Sequence, residues 1–273
     1  MKKKSLAQQL LGAPYIVWSA LFVIVPLVIV VYYAFTDADG AFTLANVAKL
    51  REYKEVFMIS IEYSFIATVI CLLVSYPFAY LMSRKKGSTQ RIMMMLVMLP
   101  MWMNLLIRTY SWMNILEKNG LINNFLGLFG IEPLKMIGTP GAVIFGMIYN
   151  YIPYMILPIY SVMSKIEPSL LEAAEDLGSN GWSKLRRVIL PMSMPGVVSG
   201  FTMVFVPSVS TFYISQKLGG KIMLVGDAIE KQIQSLYNYN MGAALSLVLM
   251  VLILISMAVM KKFAGDEGSN LYV

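Results

Sequence analysis

Long unbroken apolar stretches constrain the fold of this chain more than any other feature. A helix needs about 20 predominantly apolar residues to cross the hydrocarbon of a bilayer, whereas a soluble domain spreads its apolar residues into narrower stripes. Such stretches predict six transmembrane helices, near residues 14–35, 61–83, 92–113, 140–164, 190–214 and 242–262. The predicted fold class is therefore an all-α integral membrane protein, arranged as a single transmembrane domain over residues 1–273.

Composition favours a lipid environment and excludes several kinds of enzyme. Hydrophobic residues make up 58% of the 273 residues and charged residues only 14%, whereas an ordinary soluble domain has roughly 25% charged residues. The sequence has no histidine and one cysteine, Cys71. Zinc sites built on these residues, Ser-His or Cys-His nucleophiles and internal disulfides therefore lack the necessary side chains. We expect no metal, no cofactor and no catalytic residue in this chain.

The distribution of basic residues predicts the orientation in the membrane. With the N terminus inside, 13 Lys and Arg residues fall on the cytoplasmic side and 8 fall in the outer loops. Cytoplasmic loops of membrane proteins carry an excess of these residues. We expect a multi-pass protein of the cell (plasma or inner) membrane with both termini in the cytoplasm. The net charge of +7 then reflects orientation against membrane lipid and does not indicate nucleic acid as a partner.

The most charged stretch, residues 165–189, lies between the fourth and fifth predicted spans. Pro168 suits the first turn of a helix, and Gly178 is placed to end one. Apolar residues recur between them at spacings of three and four: Leu170, Leu171, Ala174 and Leu177. The pattern predicts a short amphipathic helix on the cytoplasmic face. It is either an interfacial helix between two spans or an element that docks on a partner.

The same loop resembles the EAA motif of permeases of ATP-binding-cassette (ABC) importers. In that motif, Glu-Ala-Ala is followed by a glycine and later by Ile-x-Leu-Pro. The corresponding residues here are Glu172, Ala173, Ala174, Gly178, Leu190 and Pro191, with Val188 in place of the isoleucine. The resemblance implies a type I, MetI-like permease fold of six transmembrane helices, with a cytoplasmic coupling helix that docks on an ATPase subunit.

The resemblance also implies a set of partners. The chain has no GxxxxGK[ST] phosphate-binding loop. We therefore expect that it is not an enzyme, and that ATP and Mg²⁺ are bound by a partner ATPase. The implied assembly contains a second permease subunit, which completes a heterodimer, two cytoplasmic ATPase subunits and an extracytoplasmic binding protein.

Three stretches narrow the resemblance to the spermidine/putrescine permeases, and in particular to the first of the two permease subunits of that importer. These stretches are residues 106–110 with 120–123, residues 170–178, and residues 212–215 with 218–220. The resemblance implies a translocation pathway for polyamines that an extracytoplasmic polyamine-binding protein delivers. Two alternatives stay open, namely import of another small organic or inorganic solute and a role as a non-transporting membrane assembly subunit.

A polycation needs carbonyls, amides, carboxylates or aromatic faces along its path, because an uncompensated charge at membrane depth is costly. Side chains of these kinds lie near the middle or the outer part of the predicted spans, and we expect them to line the pathway: Glu62, Trp102, Asn104, Tyr149, Asn150, Tyr154 and Tyr213. The alternatives are helix packing or interfacial anchoring for the aromatic residues, and a mutual ion pair or contact with water for Glu62 and Arg108.

Overall fold

The computed structural model describes residues 14–264, which are almost entirely helical. The helices in this range are α1 (Pro14–Ala34), α2 (Ala45–Arg84), α3 (Ser88–Trp102), α4 (Leu105–Leu116), α5 (Leu121–Gly127), α6 (Pro140–Met163), α7 (Pro168–Asp176), α8 (Gly181–Ser210), α9 (Tyr213–Leu218), α10 (Val225–Glu230) and α11 (Tyr239–Ala264). Of these described helices, 5 are long and apolar enough to cross a membrane. The predicted all-α membrane fold class is confirmed.

The third predicted span differs from a single straight helix. The chain bends by 92° between α3 and the segment that begins with α4, so six spans result when the bent pair is counted as one. The bend follows Trp102, where Met103 adopts an extended backbone. Asn104 then starts a new helix, because its side-chain Oδ1 accepts a hydrogen bond from the Leu106 N–H at 2.7 Å. Asparagine is among the strongest N-cap residues.

The described residues form two compact units, residues 14–55 with 228–251 and residues 56–227 with 252–264. In the first unit, Asn240 binds the chain just after α1. Its Nδ2 donates to the carbonyls of Tyr33, at 3.1 Å, and Thr36, at 2.7 Å. The amide thereby satisfies acceptors that the end of a helix leaves open. A single domain over residues 1–273 stays a prediction.

Helix α6 contributes to two hydrophobic clusters of the second unit. The first cluster also draws on α2, α7 and α8, and includes Cys71, Met82, Met155, Ile159, Met163, Leu171 and Ile189. The second cluster also draws on α2 and α9, and includes Ala67, Val143, Met147, Ile214 and Leu218. The C-terminal half of α6 belongs to the first cluster, next to the charged loop. Its N-terminal half belongs to the second cluster and packs against α9.

Helices α6 and α8 approach each other through two glycines of α8 that are four residues apart. A Cβ atom at Gly196 would lie 2.8 Å from the Pro158 carbonyl oxygen, and one at Gly200 would lie 2.8 Å from the Met155 sulfur. Small residues at this spacing let the backbones of membrane helices come into direct contact. A larger side chain at either position therefore has no room.

We expect Gly196→Leu to destabilise the fold by about 1–3 kcal/mol, because an oversized side chain must push α6 away from α8. The matched control is Gly127→Leu, since nothing lies within 4 Å of a Cβ at Gly127. Thermal unfolding of the full-length protein in detergent measures the effect. Equal melting temperatures for the two variants would contradict the close packing.

Candidate functional site

The loop between α6 and α8 contains the predicted helix, α7, and its end is held by a paired set of hydrogen bonds. Gly178 has a φ of +79°. Its N–H donates to the Glu175 carbonyl at 2.8 Å, and the Ser179 N–H donates to the Ala174 carbonyl at 3.0 Å. This is a Schellman cap, and the positive φ strains any residue that has a Cβ. Gly178 thus fixes a sharp reversal of the chain.

The start of α8 is fixed directly after this reversal. The Asn180 side chain accepts a hydrogen bond from the Ser183 N–H at 2.8 Å and so caps the helix. Lys184, in the first turn of α8, forms an ion pair with Glu175 of α7. The turn between α7 and α8 is therefore held from both sides, and α7 has a defined position relative to α8.

Helix α7 rests on one leucine and exposes much of its remaining apolar surface. Leu171 is only 8% exposed and packs into the first cluster. In contrast, Leu170 is 43% exposed, Leu177 is 87% exposed, and Trp182 at the start of α8 is 70% exposed. Glu172 is exposed beside them. The apolar side of the predicted amphipathic helix is thus only partly covered by other residues of this chain.

Arg84, the last residue of α2, holds the base of this loop. Its Nη2 donates to the Met163 carbonyl at 2.9 Å, and its Nη1 donates to the Ile166 carbonyl at 3.3 Å. Carbonyls at the C-terminal end of a helix carry partial negative charge, which favours a cation there. The guanidinium also lies 5.5 Å from the centroid of the Tyr80 ring. In the sequence, Arg84 contributes only to the excess of basic residues that predicts the orientation in the membrane. Its contact with the loop was not predicted.

We expect Arg84→Gln to loosen the attachment of the loop, because it removes two hydrogen bonds from a charged donor, each worth about 1.5–3 kcal/mol. Hydrogen–deuterium exchange should become faster in residues 163–166. The neighbouring exposed Lys85 supplies the control, since Lys85→Gln makes the same change of charge. Unchanged exchange in Arg84→Gln would show that the loop does not depend on this contact.

The predicted pathway residues lie on several helices and have different surroundings. Glu62 is exposed on α2, whereas Arg108 on α4 is only 6% exposed. Among the side chains that the structure describes, these two form no ion pair with each other. Trp102, at the bend, is 76% exposed. The side chain of Asn104 is engaged as the cap of α4.

The three candidates on α6 differ in how far their side chains are buried in the protein. The Tyr149 ring packs edge to face on Trp112, with centroids 5.2 Å apart. Asn150 is 1% exposed, and its Nδ2 donates to the Gly146 carbonyl at 2.8 Å. Tyr154 is 37% exposed and borders a groove of about 380 Å³ between α6 and α8. Their contact with a substrate stays a prediction.

Asn150 and Arg108 are among the buried side chains within residues 14–264 that have polar atoms without a hydrogen-bond partner. The Oδ1 of Asn150 has no partner there, nor do the Nε and Nη1 of Arg108. Most buried polar atoms in folded proteins are paired, and unpaired ones at membrane depth mark candidate functional positions. Asn150 was predicted as a polar amide near the middle of a span, whereas Arg108 was interpreted as a charge that pairs with Glu62 or reaches water.

An aromatic cluster holds a lysine at the opposite end of α8 from α7. The Lys217 Nζ lies 4.9 Å from the ring centroid of Tyr110 and 5.6 Å from that of Tyr213. The two rings lie 6.1 Å apart at 75°. Polar contact with the Tyr110 hydroxyl raises the pKa of Lys217. The four-residue spacing of Tyr213 and Lys217 on α9 is a signal that could have predicted their contact. The contact with Tyr110 could not be predicted in this way, because Tyr110 comes from α4.

Within the described part of the chain, no group of three or more His, Cys, Asp or Glu side chains is placed to hold a metal ion. The family described as the binding-protein-dependent transport system inner membrane component matches residues 75–264. The chain belongs to this family. The match includes all of α6, α7 and α8, and thus both the loop that contains α7 and the aromatic cluster.

The chain is similar in sequence to several proteins that are named as permeases. The chain is 39% identical over 246 residues to the spermidine/putrescine transport system permease protein PotB of Haemophilus influenzae, with 86% of each chain covered. It is 35% identical over 245 residues to PotB of Escherichia coli, covering 86% of this chain and 89% of the relative. The inner membrane ABC transporter permease protein YdcU of Escherichia coli is 28% identical over 258 residues, covering 87% and 82%. The predicted family resemblance is confirmed.

Solved structures confirm the ABC-importer permease fold. One is a bacterial ABC transporter involved in the import of the acidic polysaccharide alginate, with a TM-score of 0.74, 17% identity and coverage of 94% of this chain and 96% of that one. Another is a bacterial alginate ABC transporter in complex with an alginate pentasaccharide-bound periplasmic protein, with a TM-score of 0.77, 15% identity and coverage of 96% and 95%. Together with the family and the candidate spans, they identify a multi-pass inner membrane protein of the permease type.

Proposed function

We propose that the chain is the permease subunit of an ABC importer and forms the translocation pathway for polyamines such as spermidine and putrescine. The observation that carries this proposal is the identity of 35–39% to permeases named for these substrates, over most of the chain. The aromatic and amide side chains at membrane depth support it, because they provide the kinds of group that stabilise an organic cation. The expected pathway residues are those predicted above, on α2, α3, α6 and α9 and at the start of α4.

Helix α7 is the proposed coupling helix. The exposed Leu170 of this helix and Leu177 directly after it offer apolar contact area, and Glu172 offers a carboxylate to the surface of an ATPase subunit. Ala173 and Ala174 are small enough to allow close approach of the partner, and Gly178 holds the reversal of the chain. The motif continues into α8 at Leu190 and Pro191, so force on α7 passes directly into that helix.

The chain works with partners in this proposal. Two cytoplasmic ATPase subunits bind ATP with Mg²⁺ and hydrolyse it, since this chain has no phosphate-binding loop. A second permease subunit completes the pathway, and an extracytoplasmic protein delivers the polyamine. The basic residues favour an orientation with both termini and α7 in the cytoplasm. Helix α9 then lies towards the outer side, because α8 crosses the membrane between α7 and α9.

We expect Glu172→Lys to reduce ATP-dependent uptake of radiolabelled spermidine by about tenfold or more, because reversing a charge in a docked interface leaves its partner unpaired. The assay uses the complete importer, with its second permease, ATPase and binding protein, in liposomes. Glu132→Lys is the matched control, since Glu132 is also an exposed carboxylate but lies outside the coupling loop.

The same assay separates the alternative functions. Full uptake by Glu172→Lys would contradict the coupling role of α7. ATPase activity that the binding protein stimulates, without any uptake of spermidine, would indicate an importer for another solute. The absence of both ATPase stimulation and uptake would favour a non-transporting assembly subunit.

A further inference from the structure

The side chain of Lys217 presents its ammonium group to two tyrosine rings from different helices. The distances of 4.9 Å to Tyr110 and 5.6 Å to Tyr213 both fall within the range of about 6 Å in which the negative face of an aromatic ring attracts a cation. The rings stand at 75° to each other, so they surround the ammonium from two sides. The geometry is that of a small aromatic cage for one cation.

The group held in this cage has the chemistry of the proposed cargo. A lysine side chain is an ammonium on a four-carbon stem. Putrescine carries the same butylammonium group at both ends, and spermidine carries it at one end. Since the rings recognise the charge and the methylene next to it, a cage that binds one of these groups also binds the other.

The cage is also accessible to a second ammonium. Tyr110 is 43% exposed, and Tyr213 and Lys217 are half-buried. The lysine stem has several rotatable bonds, so its head group can leave the rings while α9 stays in place. In the proposed orientation, this cluster lies towards the outer side, where a binding protein delivers its cargo.

We propose that Tyr110 and Tyr213 form a binding site for a primary ammonium of the polyamine, and that Lys217 fills this site as a tethered competitor when no polyamine is bound. The inference rests on the proposed polyamine transport. It adds a specific site and a consequence, which is that entering cargo must displace a cation of the protein itself. A purely structural lysine that ties α4 to α9 would not be displaced.

Displacement can be observed directly in the assembled importer in nanodiscs, without the binding protein. Reductive methylation with ¹³C labels the lysines, and Lys217→Arg identifies the Lys217 signal by its loss. The two rings should shift this signal upfield, and saturating spermidine should move it back to the position of a solvated lysine. Displacement itself is measured on the wild-type chain, and Lys217→Arg serves only to assign the signal.

Equilibrium dialysis of radiolabelled spermidine against the same complex gives the second readout. Lys217→Gln should increase the affinity about two- to fivefold, since it removes a competitor held by a cation–π contact. Lys221→Gln is the matched control, because it makes the same change of charge on an exposed lysine just after α9, and it should leave the affinity nearly unchanged. The double variant Tyr110→Leu/Tyr213→Leu should lower the affinity for spermidine by about twofold to fivefold or more, because it removes both rings.

The outcomes distinguish this inference from the proposed function. If the importer takes up spermidine but the Lys217 signal does not move, the lysine is a structural tie and the inference is wrong. If the signal moves and no uptake occurs, the ammonium site stands and polyamine transport is wrong. If neither is observed, both are wrong. Equal gains in affinity for Lys217→Gln and Lys221→Gln would indicate general charge repulsion and also overturn the inference.

Discussion

Direct contact between the backbones of α6 and α8 is the constraint on which the rest of this permease depends. Lipid tails are as apolar as leucine, so burial of apolar surface gives little reason for two membrane helices to associate. Close approach supplies the missing attraction through many short-range contacts, and it requires residues such as Gly196 and Gly200. Because the loop that contains α7 joins these two helices, its position is fixed by their contact.

Polar groups inside the spans are satisfied mostly within their own helices. Thr68 donates to the Ser64 carbonyl at 2.6 Å, and Ser208 donates to the Val204 carbonyl at 2.7 Å. Such bonds remove the cost of a buried hydroxyl but do not join helices. Arg84 and Lys217 differ, because each places a cation on a neighbouring helix. Arg84 joins α2 to the C-terminal end of α6, near α7, and Lys217 joins α9 to α4. These charged contacts therefore link helices at opposite ends of the α6–α8 pair.

Sequence patterns predicted the features that depend on local chemistry. Hydropathy placed the spans, and Pro168 and Gly178 placed the limits of α7, because each acts on the backbone at its own position. The bend at Asn104 was missed, since hydropathy measures the polarity of a segment and not its direction. The cage around Lys217 was missed because it requires α4 and α9 to be adjacent, which no local pattern indicates.

A single helix connects the two candidate sites. Helix α8 begins at the turn that Asn180 and Lys184 hold against α7, and it ends one short step before α9, which carries Tyr213 and Lys217. We expect a displacement of α7 to move α8 together with α6, because these two helices are in direct contact at Gly196 and Gly200. The same motion would shift α9 relative to Tyr110 on α4. In the proposed coupling role, docking of a partner on α7 is therefore expected to be mechanically linked to opening of the proposed ammonium cage, as alternating access requires of a permease.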